Sequence, residues 1–540
     1  MIIAADDQEG LMSVVEAEAL FDTGNRHDER GAFDAAVAAF DACAALVPDN
    51  TAVLVNLANT LVKAERFGEA AAAYRRYLAL VPGDVDRWFA LGNALRQAGS
   101  LIEAVGAYVQ CLRLAPSFGP CHVNLAGSLR ALGVLDQAQI MAEAAVELMP
   151  RDVDALACLA GLLYDQGAFE AAVGWYGQAL AVAPGHAGVL SSLANALQGA
   201  GRLDAALVVH ERAYATAPDQ ADYRYNRALS LLAAGDYERG WAEHEWRLRR
   251  TRMMNAAIDR GEAWDGGSLA GRTILLHAEQ GFGDTIQFVR YAPMVARLGA
   301  RVVLEVPAPL VRLMGSVAGV AQVVPRGEAA PAYDTHCALM SLPWRFGTVM
   351  ATIPAAIPYL AADGRAVADA VIGPLAGRPE DRRPLVGLVW AGGTHLDDMD
   401  SHLIDRRRSI PAAALAPLGA VDRVRFVSLQ KPAAMMPGFD MIDPMPWVED
   451  FADTAAVIAQ LDLVVAVDTA VAHLAGAMGK PVWLLSRYDG CWRWGDRQSD
   501  TPWYPQMRIF RQAAPLDWDG VIGAVVTALS GWAVSGGSGG

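Results

Sequence analysis

The chain has 540 residues, several times the length of a typical single domain. Of these residues 53% are hydrophobic and only 19% are charged, a composition that excludes a wholly disordered protein. Its 44 basic and 60 acidic side chains give a net charge of −16, and such a chain is a poor partner for nucleic acid or for an anionic membrane surface. The six cysteines form no C-x-x-C pair, so neither a zinc site nor a disulfide framework is expected. The acidic amino-terminal segment lacks a basic n-region, and the uncharged stretch 171–201 is broken by Pro184, so we expect a cytoplasmic protein without membrane insertion.

Three residue types recur every 34 positions in the first half of the chain. The prolines are Pro48, Pro82, Pro116, Pro150, Pro184 and Pro218. The glycines are Gly31, Gly99, Gly133, Gly167, Gly201 and Gly235, with Glu65 where one glycine is missing. The small residues are Ala36, Ala70, Ala104, Ala138, Ala172, Ala206 and finally Gly240. This spacing predicts a helix–turn–helix repeat, in which the glycine relaxes the turn, the proline ends the second helix and the small residue lets the two helices approach closely.

These repeats resemble the tetratricopeptide repeat (TPR) over roughly residues 17–250. The matching residues include Trp88, Leu91, Gly92, Ala104, Tyr108 and Pro116. The resemblance implies an α-solenoid, a TPR superhelix of about seven units, because a single unit cannot bury its own apolar face. The seventh unit, around residues 234–248, departs from the pattern, as expected of a terminal unit that must meet something other than another repeat.

Asparagines are predicted to share one face of the first helices of the repeats. They are Asn56, Asn59, Asn93, Asn124, Asn195 and Asn226, and within the repeat frame they occupy two positions three residues apart. In TPR arrays this face lines the concave groove, where an amide can both donate to and accept from an extended peptide. The alternative is that these side chains only bond neighbouring helices, and the sequence leaves both interpretations open.

From about residue 272 the pattern changes to short apolar strands that alternate with helices. Strands are predicted at 273–277 and 301–306, with an amphipathic helix over 285–298 between them. A second series has strands at 384–393, 424–431, 461–467 and 481–485 and a helix near 470–478. The Gly- and Pro-rich segment between the two series is the natural hinge. The pattern predicts two Rossmann-like halves, in which ligands bind at the carboxyl ends of parallel strands.

Polar residues follow two of these strands. In the loop Gln280-Gly281-Phe282-Gly283-Asp284, the glycines allow a close approach of the backbone, and Asp284 is either a catalytic carboxylate facing the cleft or a helix cap. In the second half, Asp468, Thr469 and His473 cluster where a strand passes into a helix. Their donors and the helix amino terminus suit a pyrophosphate, whereas the alternative is that they cap and pack that helix.

Three further segments carry candidate residues. Lys431 ends a predicted strand, where it could serve as the counter-charge for a diphosphate leaving group. Arg406, Arg407 and Arg408 are predicted to lie in the loop after strand 384–393, as an anion site or as a solvated face. The aromatic segment 491–505 could stack on a base, line the cleft or belong to the core, and the sequence does not decide between these.

Several common motifs are missing. The chain has no G-x-S-x-G elbow, no G-x-x-x-x-G-K-[ST] loop and no strict G-x-G-x-x-G with its acidic partner, so a nicotinamide dehydrogenase is not expected. Instead, GFGD (281–284), RRRSIP (406–411), SLQK (428–431) and DTAVAHLAGAMGKPVWLL (468–485) resemble the heptosyltransferase-like group of GT-B glycosyltransferases, over roughly residues 272–512. The fusion of TPR units to such a region resembles protein O-glycosyltransferases, with bacterial flagellin glycosyltransferases as the nearest analogy.

The resemblance implies a role for each matching residue. Asp284 matches the general base that takes the proton from the acceptor hydroxyl, and Arg408 falls where a basic residue faces the donor phosphates. The donor-binding segment of the family is matched by Asp468, Thr469 and His473. The backbone at Gly281 and Gly283 would contribute to the same donor site. Lys431 resembles the diphosphate-binding lysine of TPR-linked O-GlcNAc transferases. The resemblance further implies an inverting transfer from a nucleotide-sugar co-substrate, with no metal and no resident cofactor.

The expected architecture is therefore an α-solenoid followed by an α/β GT-B-like domain of two Rossmann-like halves. The boundaries are an extension at 1–16, the TPR array at 17–252, a linker at 253–271, an acceptor-side half at 272–360, a hinge at 361–383, a nucleotide-sugar half at 384–532 and a flexible tail at 533–540. The expected function is transfer of a sugar to Ser or Thr hydroxyls of a protein, such as flagellin, held by the TPR array. The alternatives are a heptosyltransferase-like enzyme acting on a glycan or lipid-linked acceptor, and a scaffold whose transferase domain is degenerate.

Overall fold

The computed structural model describes residues 5–250, 260–362, 381–393, 399–431 and 435–534. The backbone divides into two compact units, Met1–Gln166 with Ala171–Pro184, and Gly167–Glu170 with Gly185–Gly540. Most of the predicted hinge, part of the predicted linker and nearly all of the predicted tail lie outside the described residues. Among the described helices, none combines the length and the apolar character needed to cross a membrane.

Residues 5–244 form fourteen helices in seven consecutive pairs. Their bounds are α1 Ala5–Glu29, α2 Phe33–Leu46, α3 Thr51–Lys63, α4 Phe67–Leu80, α5 Val85–Gln97, α6 Leu101–Leu114, α7 Gly119–Ala131, α8 Leu135–Leu148, α9 Val153–Asp165, α10 Phe169–Val182, α11 Ala187–Gly199, α12 Leu203–Thr216, α13 Ala221–Ala233 and α14 Tyr237–His244. The prediction placed the start of the array at residue 17, a position that lies inside α1.

The repeating residues have the structural roles that their spacing predicts. All six predicted glycines have φ between 73° and 81°, the left-handed conformation that closes the turn within each helix pair. Glu65, at the position of the missing glycine, has φ 57° and so adopts the same conformation with a side chain. The six alanines of the third series are 0% exposed, as close helix packing requires. Each proline lies two residues beyond the end of a second helix.

The seventh helix pair ends against the α/β region within the second unit. Helix α14 has only eight residues and continues as a short 3-10 helix, Glu245–Arg249. The Trp241 ring on α14 is 5.3 Å from the Trp492 ring and 6.1 Å from the Phe288 ring, measured between centroids. The prediction that the atypical terminal unit meets something other than a repeat is thus confirmed.

The second part of the chain contains two parallel sheets. The strands are β1 Thr273–His277, β2 Arg301–Val306, β3 Val320–Pro325, β4 Thr335–Ala338, β5 Leu385–Val389, β6 Arg425–Ser428, β7 Leu463–Val467, β8 Val482–Ser486 and β9 Met507–Arg511. The first sheet has the order β3-β2-β1-β4 and the second the order β6-β5-β7-β8-β9. All of their strand pairs are parallel, which confirms two Rossmann-like sheets.

The helices of this part cover and connect the sheets. They are α15 Phe282–Phe288, α16 Ala292–Arg297, α17 Val311–Met314, α18 Leu342–Arg345, α19 Met399–Arg408, α20 Phe451–Ala459, α21 Ala470–Ala477 and α22 Trp518–Val534. Strands β7 and β8 are buried along their whole length, because helices cover both faces of a parallel sheet.

Two sequence predictions are wrong in detail. The helix expected over 285–298 is broken into α15, a 3-10 turn at Val289–Tyr291 and α16, and Pro293 opens the last of these. The arginines 406–408 lie in the last turn of α19 rather than in a loop. Positive charge at a helix carboxyl terminus is favourable, which gives this arginine run a structural role.

Candidate functional site

The site forms where the loop after β1 meets the helix after β7. Gly283, in the first turn of α15, packs on the start of α21. A Cβ atom at Gly283 would lie 2.9 Å from Cδ2 of His473 and 3.7 Å from Cα of Ala470, so a side chain there would force the two helices apart. The carboxyl ends of two central strands, from different sheets, thus bring Asp284 and His473 close together.

Asp284 caps a helix, and its catalytic role stays a prediction. One carboxylate oxygen accepts a hydrogen bond from the backbone N–H of Gly281 at 3.2 Å, so the residue caps α15. The other oxygen is paired with the guanidinium of Arg493, and 21% of the Asp284 side chain is exposed. A carboxylate with this partial exposure can be reached by a substrate.

His473 is buried and uncharged. Burial lowers the pKa of its imidazole to about 3, although Asp468 opposes the shift. Its Nδ1 lies 3.0 Å from the hydroxyl of Tyr504, and burial raises the pKa of that hydroxyl well above its ordinary value. In the tautomer in which the Tyr504 hydroxyl donates to Nδ1, the ring proton is on Nε2, which lies 3.9 Å from the Asp468 carboxylate.

Thr469 is the N-cap residue of α21. Its hydroxyl is buried and has no hydrogen-bond partner in the part of the chain that the structure describes. A buried polar atom without a partner is costly, and such atoms often mark a place where a ligand binds. Together with the first N–H groups of α21, this hydroxyl makes the helix start suitable for a phosphate.

Arg408 reaches the same strand end. Its guanidinium donates to the backbone carbonyl of Asp468 at 3.1 Å and to the Asp405 carboxylate at 2.8 Å. Gly392 makes room for this pair, since a Cβ there would lie 1.9 Å from an Asp405 oxygen and 2.6 Å from Nη2 of Arg408. The Lys431 ammonium donates instead to the backbone carbonyl of Val448, so the structure does not pair it with the carboxylates of the site.

Sequence reasoning did not single out Arg493, which the structure pairs with Asp284 at the candidate site. It lies in the 3-10 helix Trp492–Trp494, only 10% of its side chain is exposed, and its guanidinium packs 4.6 Å from the Trp492 ring centroid. Burial alone would lower the pKa of Arg493, but Cys491, Asp284 and Asp468 raise it above its ordinary value. An arginine within an otherwise aromatic run was the available signal, but its partner is 209 residues away in the sequence.

The aromatic segment 491–505 contributes to the core and to one wall of the site. Trp492 and Trp503 are buried against Trp241 of the last repeat. Trp494 lies 5.3 Å from the His473 ring and Tyr504 lies 5.7 Å from it, between centroids. These side chains fix the histidine, so the core interpretation is the one that the described contacts favour.

The last repeat also contacts the loop that precedes Asp284. Arg247, which is 0% exposed, donates to Glu279 and to Ser341, at 2.8 Å in each case. The Tyr225 hydroxyl lies beside Gln280 and within range of the Asp284 charge, and burial raises its pKa. The end of the array is therefore part of the structure that supports the candidate base.

The predicted asparagines are half-buried, and all of them except Asn195 have a described bond to another side chain. Within the first unit, Asn56 donates to Asn25 at 3.0 Å and Asn124 donates to Asn93 at 2.7 Å. Hydroxyls of Tyr74 and Tyr108 donate to Asn59 and Asn93 at 2.7 Å. Within the second unit, where Asn195 also lies, Asn226 donates to Ser191 at 3.2 Å. These bonds give the asparagines a role between neighbouring helices, and peptide binding stays a prediction.

Comparison with known families agrees with both parts of this architecture. Residues 29–95 and 192–240 match models of the tetratricopeptide repeat. Residues 449–512 match the model of glycosyltransferase family 9, the heptosyltransferases. The chain thus joins tetratricopeptide repeats to a parallel-sheet region that carries a glycosyltransferase family 9 segment.

A similar curated protein is Protein FlbA of Caulobacter vibrioides, which is 26% identical over 308 residues, 51% of this chain and 49% of FlbA. The chain thus spans about half the length of that relative. A tetratricopeptide repeat protein from Parabacteroides merdae is 16% identical, with a TM-score of 0.40 over 45% of this chain and 94% of that one. YrrB, described as a TPR protein with an unusual peptide-binding site, is 17% identical, with a TM-score of 0.28 over 34% of this chain and 98% of that one.

Proposed function

We propose that this protein is a glycosyltransferase that moves a sugar from a nucleotide-sugar donor to a serine or threonine hydroxyl of an acceptor protein. The observation that carries the proposal is the meeting of Asp284 with the start of α21. A carboxylate that can accept a proton lies beside a helix end that can bind phosphate, and the two come from different sheets. The family 9 match includes Asp468, Thr469 and His473, which supports the donor side.

On the donor side, the phosphate would lie at the amino terminus of α21. The buried Thr469 hydroxyl and the Nε2–H of the neutral His473 provide donors, and Arg408 provides positive charge at the same strand end. Because these groups can neutralise a leaving phosphate, we propose a metal-independent reaction. Lys431 would join them only if its ammonium left the Val448 carbonyl.

On the acceptor side, Asp284 would take the hydroxyl proton as the hydroxyl oxygen attacks the anomeric carbon. The bond between that carbon and the phosphate oxygen breaks, and the nucleotide leaves with the electron pair. Attack from the face opposite the nucleotide inverts the configuration at the anomeric carbon. The proton thus ends on Asp284 and returns to solvent after product release.

We further propose that the TPR array holds the acceptor, with flagellin as the first protein to test. An asparagine amide has two donors and two acceptor positions, and the bonds described above use one or two of these, which leaves the others for a peptide. The contacts of Arg247 and Tyr225 with the loop 278–281 support this arrangement, because they join the end of the array to the candidate base.

The proposal is tested by incubating the protein with flagellin and a panel of UDP-, GDP-, ADP- and CMP-sugars, and measuring the intact mass of the acceptor. We expect one donor class to add a sugar mass, and Asp284→Asn to reduce the rate about 100-fold or more, because a general base contributes about 10²–10⁴ in rate. The asparagine retains the cap on Gly281 and removes the negative charge.

Asp450→Asn is the matched control. Asp450 also caps a helix, α20, and pairs with an arginine, Arg312, at 3.3 Å, so its substitution should leave transfer unchanged. Wild-type transfer by Asp284→Asn would show that Asp284 is not the base. Transfer to a glycan or lipid-linked acceptor, but not to protein, would support the alternative enzyme, and failure of every nucleotide to bind would support a scaffold.

A further inference from the structure

The candidate base is held in an ion pair before any substrate binds. Arg493 donates to the Asp284 oxygen that does not cap α15. The Gly281 N–H and the Arg493 guanidinium thus each occupy one oxygen of this carboxylate. For the oxygen that Arg493 contacts to receive a substrate hydroxyl, the guanidinium must move to another anion.

The surroundings of Arg493 allow such an exchange. Its guanidinium donates through Nε to Gln287, through Nη1 to Cys491 at 3.2 Å and through Nη2 to Asp284. An arginine has five N–H groups, so two of them have no partner among the described residues. Nearly all of its side chain is buried, and stacking on Trp492 holds the guanidinium plane while one of its partners changes.

A phosphate at α21 would lie within reach of this guanidinium. Gly283, next to Asp284, touches the first residue of α21, and the carboxylate of Asp468 before that helix acts electrostatically on Arg493. Trp494, the next residue after Arg493, packs on His473, which lies in α21. Arg493 thus lies between the carboxylate of one sheet and the phosphate-binding helix end of the other.

We propose that Arg493 is a phosphate-binding residue of the donor site and that it exchanges Asp284 for the donor phosphate when the nucleotide-sugar binds. This inference rests on the proposed function. Donor binding then frees Asp284 to accept the hydroxyl proton, so the base becomes competent only when the donor is in place. The same guanidinium stabilises the phosphate that leaves with the electron pair of the broken glycosidic bond.

The exchange predicts opposite effects of the two partners on nucleotide affinity. In calorimetric titrations with UDP, GDP, ADP and CMP, we expect Asp284→Asn to bind the preferred nucleotide about threefold to tenfold more tightly than wild type, because no carboxylate competes for Arg493. Arg493→Met should bind it about tenfold or more weakly, and Arg493→Lys should lie between Arg493→Met and wild type. The double variant should match Arg493→Met.

Arg312→Met is the matched control, because Arg312 also joins the two halves, through Asp453 at 2.6 Å, and its substitution should not change nucleotide affinity.

In steady-state transfer, Arg493→Met should raise the KM for the donor and lower kcat, whereas Asp284→Asn should lower kcat without raising that KM. If Asp284→Asn weakens binding or leaves it unchanged, Arg493 does not exchange partners and the inference is wrong. If wild type binds none of the nucleotides, the proposed function itself fails.

Discussion

At the scale of single residues, burial keeps two histidines of the second unit, His210 and His473, uncharged. Burial lowers the pKa of His210 to about 4, with a contribution from Arg227, and lowers that of His473 to about 3. Both imidazoles are therefore neutral in the folded protein over the physiological range. The neutral His473 ring lies 3.0 Å from the Tyr504 hydroxyl, and the neutral His210 ring lies 3.0 Å from the Ser230 hydroxyl inside the repeats.

The buried histidines predict a loss of stability in mild acid. An unfolded histidine gains a proton near pH 6.5, whereas folded His210 stays neutral down to about pH 4, so the unfolded state binds more protons in this window. The contribution is fully present above pH 6.5 and is lost as the pH falls towards 4. His210→Gln should flatten the dependence of the unfolding free energy on pH between 6 and 4.5 by about 1.4 kcal/mol per pH unit. Urea titrations over this range measure it, and an unchanged slope would refute the assignment.

At the scale of elements, the turn within each repeat requires a particular backbone conformation rather than a particular residue type. Six of the predicted positions satisfy it with glycine, whereas Glu65 adopts φ 57° with a full side chain. A left-handed conformation costs a non-glycine residue about 1–2 kcal/mol. The turn after α3 is thus a strained point of the first unit, and its position follows from the sequence alone.

Glu65→Gly should therefore stabilise the first unit. Glycine also raises the conformational entropy of the unfolded chain, which offsets part of this effect. We expect a net gain of about 0.5–1 kcal/mol in the unfolding free energy. Gly99→Ala provides the reciprocal test, because Gly99 has φ 79° and open space around its Cβ position, so its cost of about 1 kcal/mol would come from the backbone alone. Thermal and urea unfolding measure both, and destabilisation by Glu65→Gly would show that the glutamate side chain compensates for the strain.

Two element predictions are wrong for different reasons, one a local sequence feature and the other the packing of buried partners. The amphipathic stretch 285–298 reads as one helix, yet Pro293 divides it into two short helices with a 3-10 turn between them. The arginines 406–408 suggest a solvated loop, but Arg407 is buried and lies 3.3 Å from Asp489. Charge patterns predict exposure, and buried partners distant in the sequence change that outcome.

At the scale of the molecule, the last repeat and the α/β region of the second unit share one core. Arg247 is completely buried, and besides Glu279 and Ser341 it binds Glu245 at 2.6 Å. Several charged groups meet there without solvent, so each depends on the others for its charge balance. The repeats and the α/β region of this unit are thus expected to unfold together.

Arg247→Met should destabilise the second unit by about 3–5 kcal/mol, because it leaves buried Glu279 without its cationic partner. Tryptophan fluorescence during urea unfolding reports the transition, since Trp241, Trp492 and Trp503 lie in the shared core. Arg250→Met is the control: its pair with Asp222 is exposed, so its loss should cost less than about 1 kcal/mol. Equal effects of the two substitutions would show that the buried cluster does not hold the repeat in place.

The sequence by itself determined the repeat, the two parallel sheets and the strand ends where Asp284 and His473 lie. These features follow from local periodicity: the 34-residue spacing sets turns and helix contacts, and alternating strands and helices set the direction of each sheet. Only the tertiary structure decided that Asp284 is paired with Arg493, that Lys431 binds a backbone carbonyl, and that Arg247 supports the loop before the candidate base. Those partners lie far apart in the sequence or on different elements, and the packing of side chains between elements selects them in a way that no local pattern encodes.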